Sequence, residues 1–481
     1  YYAYIRGLKK KSMTKIKFGT DGWRAIIAKE FTVDNVVRIS EATGNWTKKN
    51  NINPSIVLGH DCRFAGEMFA ETAAKVFASQ GIKVLLAKNF VSTPMVSLGA
   101  VHFNASLGVV LTASHNPPSY NGYKLKGGFG GPLSPKHVQE VEDIISDNVN
   151  IAVASLSIEE FVKQDLIEYV DLEKLYLDAV RENFDLEAIA NSNMNFAYDA
   201  MYGAGQNVLK KLLPEMTFLH CDENPSFMGQ APEPIDKNLQ EFSQLIKSRG
   251  NIAAGLATDG DADRIGLYNS KGEFVDSHHI MLLLMHYLHK TKRLNGKVVV
   301  AASTTPRVGR LAEKWGLDFD MVQIGFKYIA AQMLTEDVLV GGEESGGIAI
   351  KGHIPERDGI WMGLVLFEFM VKSGKSLEEL VDEIYDLVGE FKYWRDDLHL
   401  SEELKQEVIA NCKADKYQSF GDFQVQEVQT IDGYKYILSE DEWLMIRPSG
   451  TEPVLRAYAE AKTLDGAKAI LKAAKAELGI G

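Results

Sequence analysis

Apolar runs of strand length alternate with helical patterns along most of the chain. The segment "SIVLGHD" (55–61) predicts a strand, "GEMFAETAAKVFASQG" (66–81) predicts a helix, and "IKVLLA" (82–87) predicts a second strand. The same alternation returns in "MNFAYDA" followed by "QNVLKKLL", and in "KVVVAAS" followed by "RVGRLAEKWG". Because apolar strands separated by helices are typical of sheets covered on both faces, the pattern predicts α/β layers with mostly buried sheets.

Four times an apolar strand runs into a short polar loop, and a second strand or turn follows. The four segments share a loop rich in Gly, Ser or Asp, and they are "LGVVL–TASHNPPSYNG", "IAAGLA–TDGDADR–IGLY", "VLV–GGEESGG–IAI" and "EWLMI–RPSGTEP–VLRAYAEA". Strand ends are where α/β folds place the groups that bind ligands. We therefore expect four segments of the chain to contribute one loop each to a shared cleft.

Composition and charge narrow the classes of function. The 481 residues are 45% hydrophobic and 24% charged, which is ordinary for a globular protein of about three domains. The formal net charge of −13 argues against general binding of nucleic acid or anionic membranes, although a local basic site for an anionic substrate is compatible with it. The three cysteines form no metal or disulfide pattern, and no apolar stretch has the length of a bilayer span, so we expect a cytoplasmic protein.

The loop "TDGDADR" (258–264) places three carboxylates two residues apart from one another. Asp259, Asp261 and Asp263 can turn toward one point in an irregular loop, and three hard oxygen ligands suit Mg²⁺. The alternative is a solvated Asp-Gly turn that binds no ion. An EF-hand is excluded because the run of ligands is too short and no glutamate stands at the twelfth position.

Two further loops carry groups that bind anions or hydroxyls. The loop "RPSGTEP" (447–453) offers a guanidinium, two hydroxyls and the backbone N–H groups around a glycine, which suit a phosphate dianion, and Arg456 adds a second charge. The loop "GGEESGG" (341–347) offers two carboxylates and a hydroxyl for sugar hydroxyls. A proline-bounded surface turn and a flexible acidic loop are the respective alternatives.

Ser114, His115 and Lys124 lie close together in "TASHNPPSYNGYK" (112–124). A serine is a nucleophile only with a base or an electrophile as its partner, and the GxSxG elbow of acyl transfer is missing. If the partner is a metal held by three aspartates, phosphoryl transfer fits better, because Lys124 or His115 can then move the alcohol proton. The alternative is a serine that caps a helix or turn beside a structural histidine.

Taken together, these loops resemble the motifs of the α-D-phosphohexomutase family, which includes phosphoglucomutases and phosphomannomutases. The resemblance runs from about Phe18 to the C-terminus, and the motifs follow the family's order. The segment "FGTDGWR" (18–24) resembles the N-terminal signature and "TASHNPPSYNGYK" resembles the phosphoserine loop. In the same way "DGDADR" resembles the metal loop, "GEESGG" the sugar loop and "RPSGTEP" the phosphate loop.

The resemblance implies a fold of three related α/β domains plus a smaller C-terminal α+β domain around a central cleft. Independently of the resemblance, residues 1–12 precede Met13 and carry four positive charges, so we expect them to be a tag or a basic tail. Domain I with the phosphoserine loop is expected at 13–185, and domain II with the metal loop at 186–276. Domain III with the sugar-specificity loop is expected at 277–388, and domain IV with the phosphate-binding loop at 389–481.

The resemblance also implies a mechanism and its cofactors. Ser114 would carry a phosphate at rest, and Mg²⁺ would be held by Asp259, Asp261, Asp263 and an oxygen of that phosphoserine. The phosphoryl group would pass to a hexose monophosphate, and the resulting hexose 1,6-bisphosphate, also the activator, would return its other phosphate to Ser114. The implied enzyme is an isomerase that interconverts hexose 1-phosphate and hexose 6-phosphate.

The family motifs assign further side chains to the reaction and to the substrate. Lys124 would be the general acid or base with His115 as support, while Arg24 and Arg264 would brace the phosphoserine. The implied substrate-binding residues belong to the sugar loop, the phosphate loop and neighbouring segments, and they are Glu343, Ser345, His353, Arg357, Lys327, Arg447, Ser449, Gly450, Thr451 and Arg456.

The sequence does not determine which sugar is the substrate. Glucose and mannose phosphates are the favoured substrates, and the alternative is a phosphopentomutase or a sugar-bisphosphate synthase on the same scaffold. Phosphoglucosamine mutase is less favoured, because the sugar loop reads GEESGG where those enzymes carry a GEQSGH-type run. A non-catalytic sugar-phosphate sensor is the alternative outside enzymes, but a sensor needs none of the metal chemistry. We expect a sugar phosphate as the partner, no nucleic acid or membrane, and a monomer or homodimer.

Overall fold

The computed structural model describes residues 14–448 and 454–480. The predicted tag or tail at 1–12 and the predicted phosphate ligands Ser449, Gly450 and Thr451 lie outside these residues. The chain divides into two compact units, of which unit 1 is the chain up to Phe274 with Gly347–Val371, and unit 2 is Val275–Gly346 with the chain from Lys372 onward. Among the described helices, none has the length and apolar character to cross a bilayer.

The helices are labelled in chain order. They are α1 (Val33–Asn50), α2 (Gly66–Ser79), α3 (Thr93–His102), α4 (Pro135–Glu142), α5 (Ile158–Lys163), α6 (Leu172–Asn183), α7 (Leu186–Ala190), α8 (Val208–Leu212), α9 (Gln240–Arg249), α10 (Ser277–His286), α11 (Arg307–Trp315), α12 (Phe326–Met333), α13 (Gly359–Ser373), α14 (Leu377–Val388), α15 (Glu402–Lys413) and α16 (Leu464–Glu477).

The strands are labelled in the same way. They are β1 (Trp23–Ile26), β2 (Ser55–His60), β3 (Lys83–Ala87), β4 (Leu107–Leu111), β5 (Tyr120–Gly127), β6 (Gly131–Pro132), β7 (Ile167–Val170), β8 (Asn195–Asp199), β9 (Thr217–Leu219), β10 (Ile252–Thr258), β11 (Ile265–Asn269), β12 (Phe274–Val275), β13 (Lys297–Ala301), β14 (Phe319–Val322), β15 (Val338–Gly342), β16 (Ile348–Ile350), β17 (Lys392–His399), β18 (Ser419–Phe420), β19 (Phe423–Gln424), β20 (Glu427–Gln429), β21 (Tyr434–Ile437), β22 (Trp443–Pro448) and β23 (Val454–Ala461).

Short polar signals in the sequence set the ends of the helices. The Thr32 side chain accepts a hydrogen bond from the backbone N–H of Asn35 and so begins α1. Ser376 and Glu379 form a reciprocal capping box at the start of α14. Gly316, at φ 67°, ends α11 in the left-handed conformation that glycine adopts without strain. Because such local signals mark where helices begin and end, the sequence could predict the alternation of strands and helices.

Unit 1 contains two sheets built around buried parallel strands. The first sheet runs β1, β5, β4, β2, β3, β7, in which β4, β2, β3 and β7 are parallel and β5 is antiparallel to β4. The second runs β11, β10, β8, β9, in which β10, β8 and β9 are parallel and β11 is antiparallel to β10. Every residue of β4 is buried, which explains the uninterrupted apolar run "LGVVL".

In both sheets of unit 1, the loop with the predicted chemistry is the tip of a hairpin at the carboxyl end of a buried strand. The loop from Thr112 joins β4 to β5, and the register pairs Val110 with Lys124. The loop from Asp259 joins β10 to β11, and the register pairs Thr258 with Ile265. Antiparallel pairing therefore fixes where each loop begins and ends.

Unit 2 contains one parallel and one antiparallel sheet. Strands β14, β13 and β15 are parallel neighbours in that order. Strands β17, β23, β22, β21 and β20 form an antiparallel sheet whose core includes residues of α15 and α16. Three α/β sheets and one C-terminal α+β sheet confirm the predicted fold class, whereas the predicted domain boundaries stay a prediction.

The predicted strands and helices lie where the sequence placed them. The segments at 55–61, 66–81 and 82–87 are β2, α2 and β3. All four predicted strand–loop–strand segments also occur, as β4 and β5, β10 and β11, β15 and β16, and β22 and β23.

Candidate active site

Ser114 stands in a buried turn directly after β4. It is 1% exposed, and its φ of 52° is unusual for a residue other than glycine. Its Oγ donates a hydrogen bond of 2.7 Å to Oδ2 of Asp259 and lies 3.3 Å from Nδ1 of His115. The structure therefore brings the predicted nucleophile into direct contact with the predicted metal loop.

The three aspartates of that loop converge as the spacing predicted. Asp259, Asp261 and Asp263 are fully buried, and each offers a carboxylate oxygen within 4.8 Å of the others. Oδ1 of Asp261 and Oδ1 of Asp263 are buried without a hydrogen-bond partner. Buried carboxylate oxygens that no donor satisfies are the environment that a hard divalent cation completes, so the residues present fit Mg²⁺.

The electrostatics of the triad keep part of it ionised. Burial raises the pKa of Asp259 well above its usual range, and the charges of Asp261 and Asp263 add to that rise. Burial alone would also raise the pKa of Asp261, but the Lys124 ammonium and a hydrogen bond of 2.5 Å from Oγ1 of Thr93 hold it below its usual range. A cation bound by all three carboxylates would offset both their burial and their mutual repulsion, and would favour the ionised form of Asp259.

Lys124 is enclosed by carboxylates. Its Nζ lies 3.0 Å from Asp21, 2.7 Å from Asp261 and 3.0 Å from Asp263. Arg357 joins the same cluster through ion pairs with Asp21 and, at 2.7 Å, with Asp263. Burial alone would lower the pKa of Lys124, but the three carboxylates outweigh it and raise that pKa. The three carboxylates therefore hold Lys124 as an ammonium, not as a free base.

The two arginines predicted to brace the phosphoserine lie beside these loops. Nη1 of Arg24, on β1, donates a hydrogen bond of 2.7 Å to Oδ1 of Asn116 in the serine loop. The backbone N–H of Arg264 donates to Oδ1 of Asp259 at 3.1 Å, and its guanidinium lies 3.7 Å from Glu233. Burial removes water from the guanidinium of Arg24 and so lowers its pKa. A charge without full hydration favours an anion as its partner.

His353 lies in the interior of unit 1. Its ring stacks on Trp361 at 3.8 Å between centroids, and its Nε2 lies 3.0 Å from Oδ2 of Asp358. The side chain is 3% exposed, and Tyr176 donates a hydrogen bond to the same carboxylate. These contacts give His353 a packing role next to Arg357, and its predicted contact with the substrate stays a prediction.

In unit 2, two predicted substrate residues are connected through one stretch of backbone. Oε1 of Glu343 accepts a hydrogen bond of 3.0 Å from the backbone N–H of Gly325. The neighbouring N–H of Ile324 donates to Asp432 at 2.9 Å, and Asp432 forms an ion pair of 3.2 Å with Nε of Arg447. The sugar loop and the strand that leads into the phosphate loop thus hold the same backbone segment.

The remaining predicted substrate residues of unit 2 are less enclosed. Ser345 and Lys327 are partly exposed, and Nζ of Lys327 lies 5.3 Å from the ring centroid of Tyr328. Arg456 is directly opposite Arg447 in the register of β22 and β23 and lies 3.7 Å from Asp397. Two guanidinium groups, each with one carboxylate nearby, therefore lie side by side on one face of neighbouring strands.

Sequence reasoning missed residues that hold the site from the segments next to β1 and β2. Asp21 links Lys124 and Arg357, and it stands inside the quoted segment "FGTDGWR" without having been singled out. Arg63 donates to the backbone of the serine loop, and Asp61 accepts from Thr112 at 2.5 Å. The available signal was the polar stretch directly after the predicted strand at 55–61, which has the same strand-then-polar pattern as the four chosen loops.

Comparison with known proteins gives a consistent result along the chain. The four domain models of phosphoglucomutase/phosphomannomutase match in order. Domain I, described as alpha/beta/alpha, matches residues 15–151, domain II residues 174–272, domain III residues 276–388, and the C-terminal domain residues 406–476.

Individual relatives match over nearly their whole length. The phosphoglucomutase/phosphomannomutase of Thermococcus kodakarensis is 30% identical over 468 residues, which are 96% of this chain and 97% of the relative. The phosphoglucosamine/phosphogalactosamine mutase of Sulfurisphaera tokodaii is 29% identical over 453 residues, which are 92% and 95%. The crystal structure of a putative phosphomannomutase from Thermus thermophilus superposes with a TM-score of 0.85 at 32% identity, over 97% of this chain and 100% of that one.

Proposed function

Because the chain belongs to the phosphoglucomutase/phosphomannomutase family, whose members are isomerases that transfer a phosphoryl group within a sugar phosphate, we propose that it interconverts hexose 1-phosphate and hexose 6-phosphate, with glucose and mannose as the leading sugars. Ser114 carries the phosphoryl group between the two ends of the sugar in this proposal. The observation that supports it most directly is the hydrogen bond of Ser114 Oγ to Asp259 beside two unsatisfied carboxylate oxygens.

Mg²⁺ fits the aspartate loop as the cofactor. Asp259, Asp261 and Asp263 would hold it, with an oxygen of the phosphate on Ser114 as a further ligand. When bound, the ion neutralises charge on the transferring phosphoryl group. The rest of the chemistry falls to the side chains of the protein.

The transfer conserves atoms and charge. A sugar hydroxyl oxygen forms a bond to phosphorus, and the bond between phosphorus and Ser114 Oγ breaks. The hydroxyl proton leaves the sugar as Ser114 Oγ takes one up, and we assign the relay of that proton to Lys124, with His115 in support. Reversal of the same step on the other phosphate of the hexose 1,6-bisphosphate regenerates phosphorylated Ser114 and releases the isomer.

The cationic and polar side chains of both units have binding roles in the proposal. Arg24 and Arg264 brace the phosphate on Ser114, next to the loops that they already contact. Glu343 and Ser345 bind ring hydroxyls, and Lys327, His353, Arg357 and the residues of 447–456 bind the substrate and its second phosphate. A donor set that recognises phosphate alone suits a substrate that presents either end.

The choice of sugar is the part that most needs measurement. Relatives of similar identity are named both phosphoglucomutase/phosphomannomutase and phosphoglucosamine mutase. We therefore propose assays of glucose, mannose, glucosamine and ribose 1-phosphates, with Mg²⁺ and catalytic hexose 1,6-bisphosphate. The rank order of kcat/KM names the substrate.

The matched pair Ser114→Ala and Ser119→Ala tests the phosphoserine. Ser119 is an exposed serine of the same loop, so its variant controls for general damage to that loop. We expect Ser114→Ala to lose turnover on every sugar and to lose the phosphate that intact-mass measurement detects, whereas Ser119→Ala keeps both. Turnover that survives Ser114→Ala would refute the phosphoserine, and wild-type protein that binds sugar phosphates but converts none would favour the sensor.

A further inference from the structure

Arg63 lies inside the serine loop, and its guanidinium binds the loop backbone from within. Nη2 donates to the carbonyl oxygens of Ser114 and Asn116, both at 2.6 Å. Nη1 donates to the carbonyl oxygens of Pro117 and Tyr120 at 2.8 and 2.9 Å. One planar group therefore fixes four carbonyls over the whole turn between β4 and β5.

The guanidinium is itself held in place from the other side. Its Nε lies 3.3 Å from Oδ2 of Asp61, and the backbone N–H of Arg63 donates to Oδ1 of the same carboxylate at 3.0 Å. The ring of Phe227 lies 5.1 Å from Arg63 Cζ. The side chains of Arg63 and Asp61 are both 0% exposed. Both Nη atoms donate to the loop, and Nε is buried beside Asp61 without a hydrogen bond, so Arg63 presents no exposed donor to a substrate.

The same carboxylate also secures the start of the loop. Thr112 Oγ1 donates to Asp61 Oδ2 at 2.5 Å and accepts from the backbone N–H of Ser114 at 2.9 Å. Ser114 is thus held at its N–H by Thr112 and at its carbonyl by Arg63. Its φ of 52° costs free energy for a residue with a Cβ, and such a conformation persists only where neighbouring groups impose it.

We propose that Arg63 is a positioning residue for phosphoryl transfer, which holds the backbone of Ser114 in the left-handed conformation that aims Oγ at the aspartate triad. This inference rests on the proposed role of Ser114. Arg63 touches neither substrate nor the reacting atoms, so its effect passes through the geometry of the loop. The planar guanidinium is needed for this role, because its two Nη atoms donate to four carbonyl oxygens. The single ammonium of a lysine has too few donors to bind all four.

The inference predicts a change in what the phosphoserine reacts with. A misplaced phosphoryl group loses its alignment with the sugar hydroxyl, but water attacks without such alignment. The ratio of transfer to hydrolysis should therefore fall, and a shift of about 1 Å costs on the order of a hundredfold in aligned transfer. This ratio does not depend on how much of the protein is correctly folded, so a merely structural loss leaves it unchanged.

Arg63→Lys and Arg38→Lys form the matched pair for this test. Arg38 is also a buried arginine of unit 1 that donates to backbone carbonyls, those of Ser146 and Thr14, but these lie outside the serine loop. Protein labelled with ³²P at Ser114 is mixed with the preferred sugar phosphate in a single turnover, and label in bisphosphate is compared with label in free phosphate. We expect the ratio to fall about ten- to hundredfold in Arg63→Lys and to match the wild type in Arg38→Lys.

The outcomes separate this inference from the proposed function. If Ser114→Ala abolishes labelling but Arg63→Lys partitions like the wild type, Arg63 is only structural and the inference is wrong. If the ratio falls equally in both arginine variants, general loosening explains it and the inference is also wrong. If the wild type takes no label at Ser114 at all, the proposed function fails first.

Discussion

The proposed reacting groups of unit 1 and the proposed recognition groups of unit 2 are held in different ways. Ser114, the three aspartates and Lys124 are at most 1% exposed and bind one another directly. The side chains of Arg447 and Arg456 are 18% and 33% exposed, and each pairs with one carboxylate. Buried charges need partners, which Lys124 and the aspartates supply to one another except at the two oxygens that a cation would satisfy, whereas partly exposed charges keep capacity for a ligand.

This difference matches the division of tasks in the proposed function. In that proposal, the groups that transfer the phosphoryl group are buried together and aligned before the substrate arrives. The groups proposed to accept either end of the sugar stay partly exposed, and each pairs with one carboxylate. Variants in the two regions should therefore change different kinetic constants, and the predictions below test that division.

The largest expected effect follows from Asp261→Asn. The substitution removes one charge from the triad and one ion-pair partner from Lys124, while the volume of the side chain stays the same. We expect kcat to fall about a thousandfold because charge stabilisation by a bound metal is worth several kcal/mol, and we expect the Mg²⁺ concentration for half-activation to rise. Initial rates measured against Mg²⁺ concentration check both.

Asp199→Asn is the matched control for that variant. Asp199 is buried at the end of β8, the strand beside β10, and it pairs with His220 instead of with the triad. The variant Asp199→Asn should leave the dependence of the initial rate on Mg²⁺ concentration unchanged. A Mg²⁺ dependence that shifts equally in both variants would contradict the assignment of the metal to 259–263.

A smaller effect, on KM, is expected from Arg447→Ala in unit 2. A charged hydrogen bond to phosphate is worth about 1.5–3 kcal/mol, so KM should rise about ten- to hundredfold. Since the phosphate being bound is not the one being transferred, kcat should change much less. Steady-state kinetics separate the two constants, with Arg310→Ala, an arginine of the same unit paired with Asp441, as the control. A fall in kcat at unchanged KM in Arg447→Ala would contradict the assignment of Arg447 to substrate binding.

The smallest effect concerns the stability of unit 2 and its pH dependence. Burial lowers the pKa of Lys435 from 10.5 to about 8, against the attraction of Glu460, while Nζ donates to the carbonyls of Ala302 and Thr304. Between these two pKa values the unfolded chain binds a proton that the folded chain has released. Stability should therefore rise by about 1 kcal/mol between about pH 7 and about pH 9, as the first part of a rise that ends near the unfolded pKa of 10.5.

Lys435→Met should remove this rise in stability. Denaturant unfolding measures it at pH values from about 7 to about 9, followed by tryptophan fluorescence, to which Trp443 contributes from 4.1 Å beside Lys435 Nζ. The variant Lys416→Met, at an exposed lysine of the same unit, should keep the rise. If stability falls over this range in wild type and both variants alike, other groups dominate the titration.

The sequence could predict the parts of this protein that depend on local pattern. Apolar runs placed the buried strands, and the spacing of Asp259, Asp261 and Asp263 predicted their convergence because a short loop limits how far its side chains can separate. The direct contact of Ser114 with Asp259 spans 145 residues, and only the family motifs implied it. Pattern alone carries no information about such a distance.

The sequence could not predict which of several possible partners a buried side chain contacts in the folded protein. Arg63 is 51 residues from Ser114, and nothing in the sequence says that its donors turn inward to carbonyls and not outward to a ligand. The stacking of His353 on Trp361 inside unit 1 is a second example, since the family motif implied only a ligand contact, which stays a prediction. Asp21 belongs to a recognised motif, yet its pairing with Lys124 follows only from the register of β1 and β5.

The hairpin register described for β4 and β5 has a consequence for how this protein can evolve. Side chains on a strand alternate between the two faces, so one residue inserted into or deleted from 112–119 would turn Lys124 to the opposite face of the sheet or force a bulge. The loop also wraps one guanidinium whose reach is fixed. We therefore expect this segment to accept exchanges of one amino acid for another at constant length, and insertions to be tolerated better in loops away from the hairpin tips.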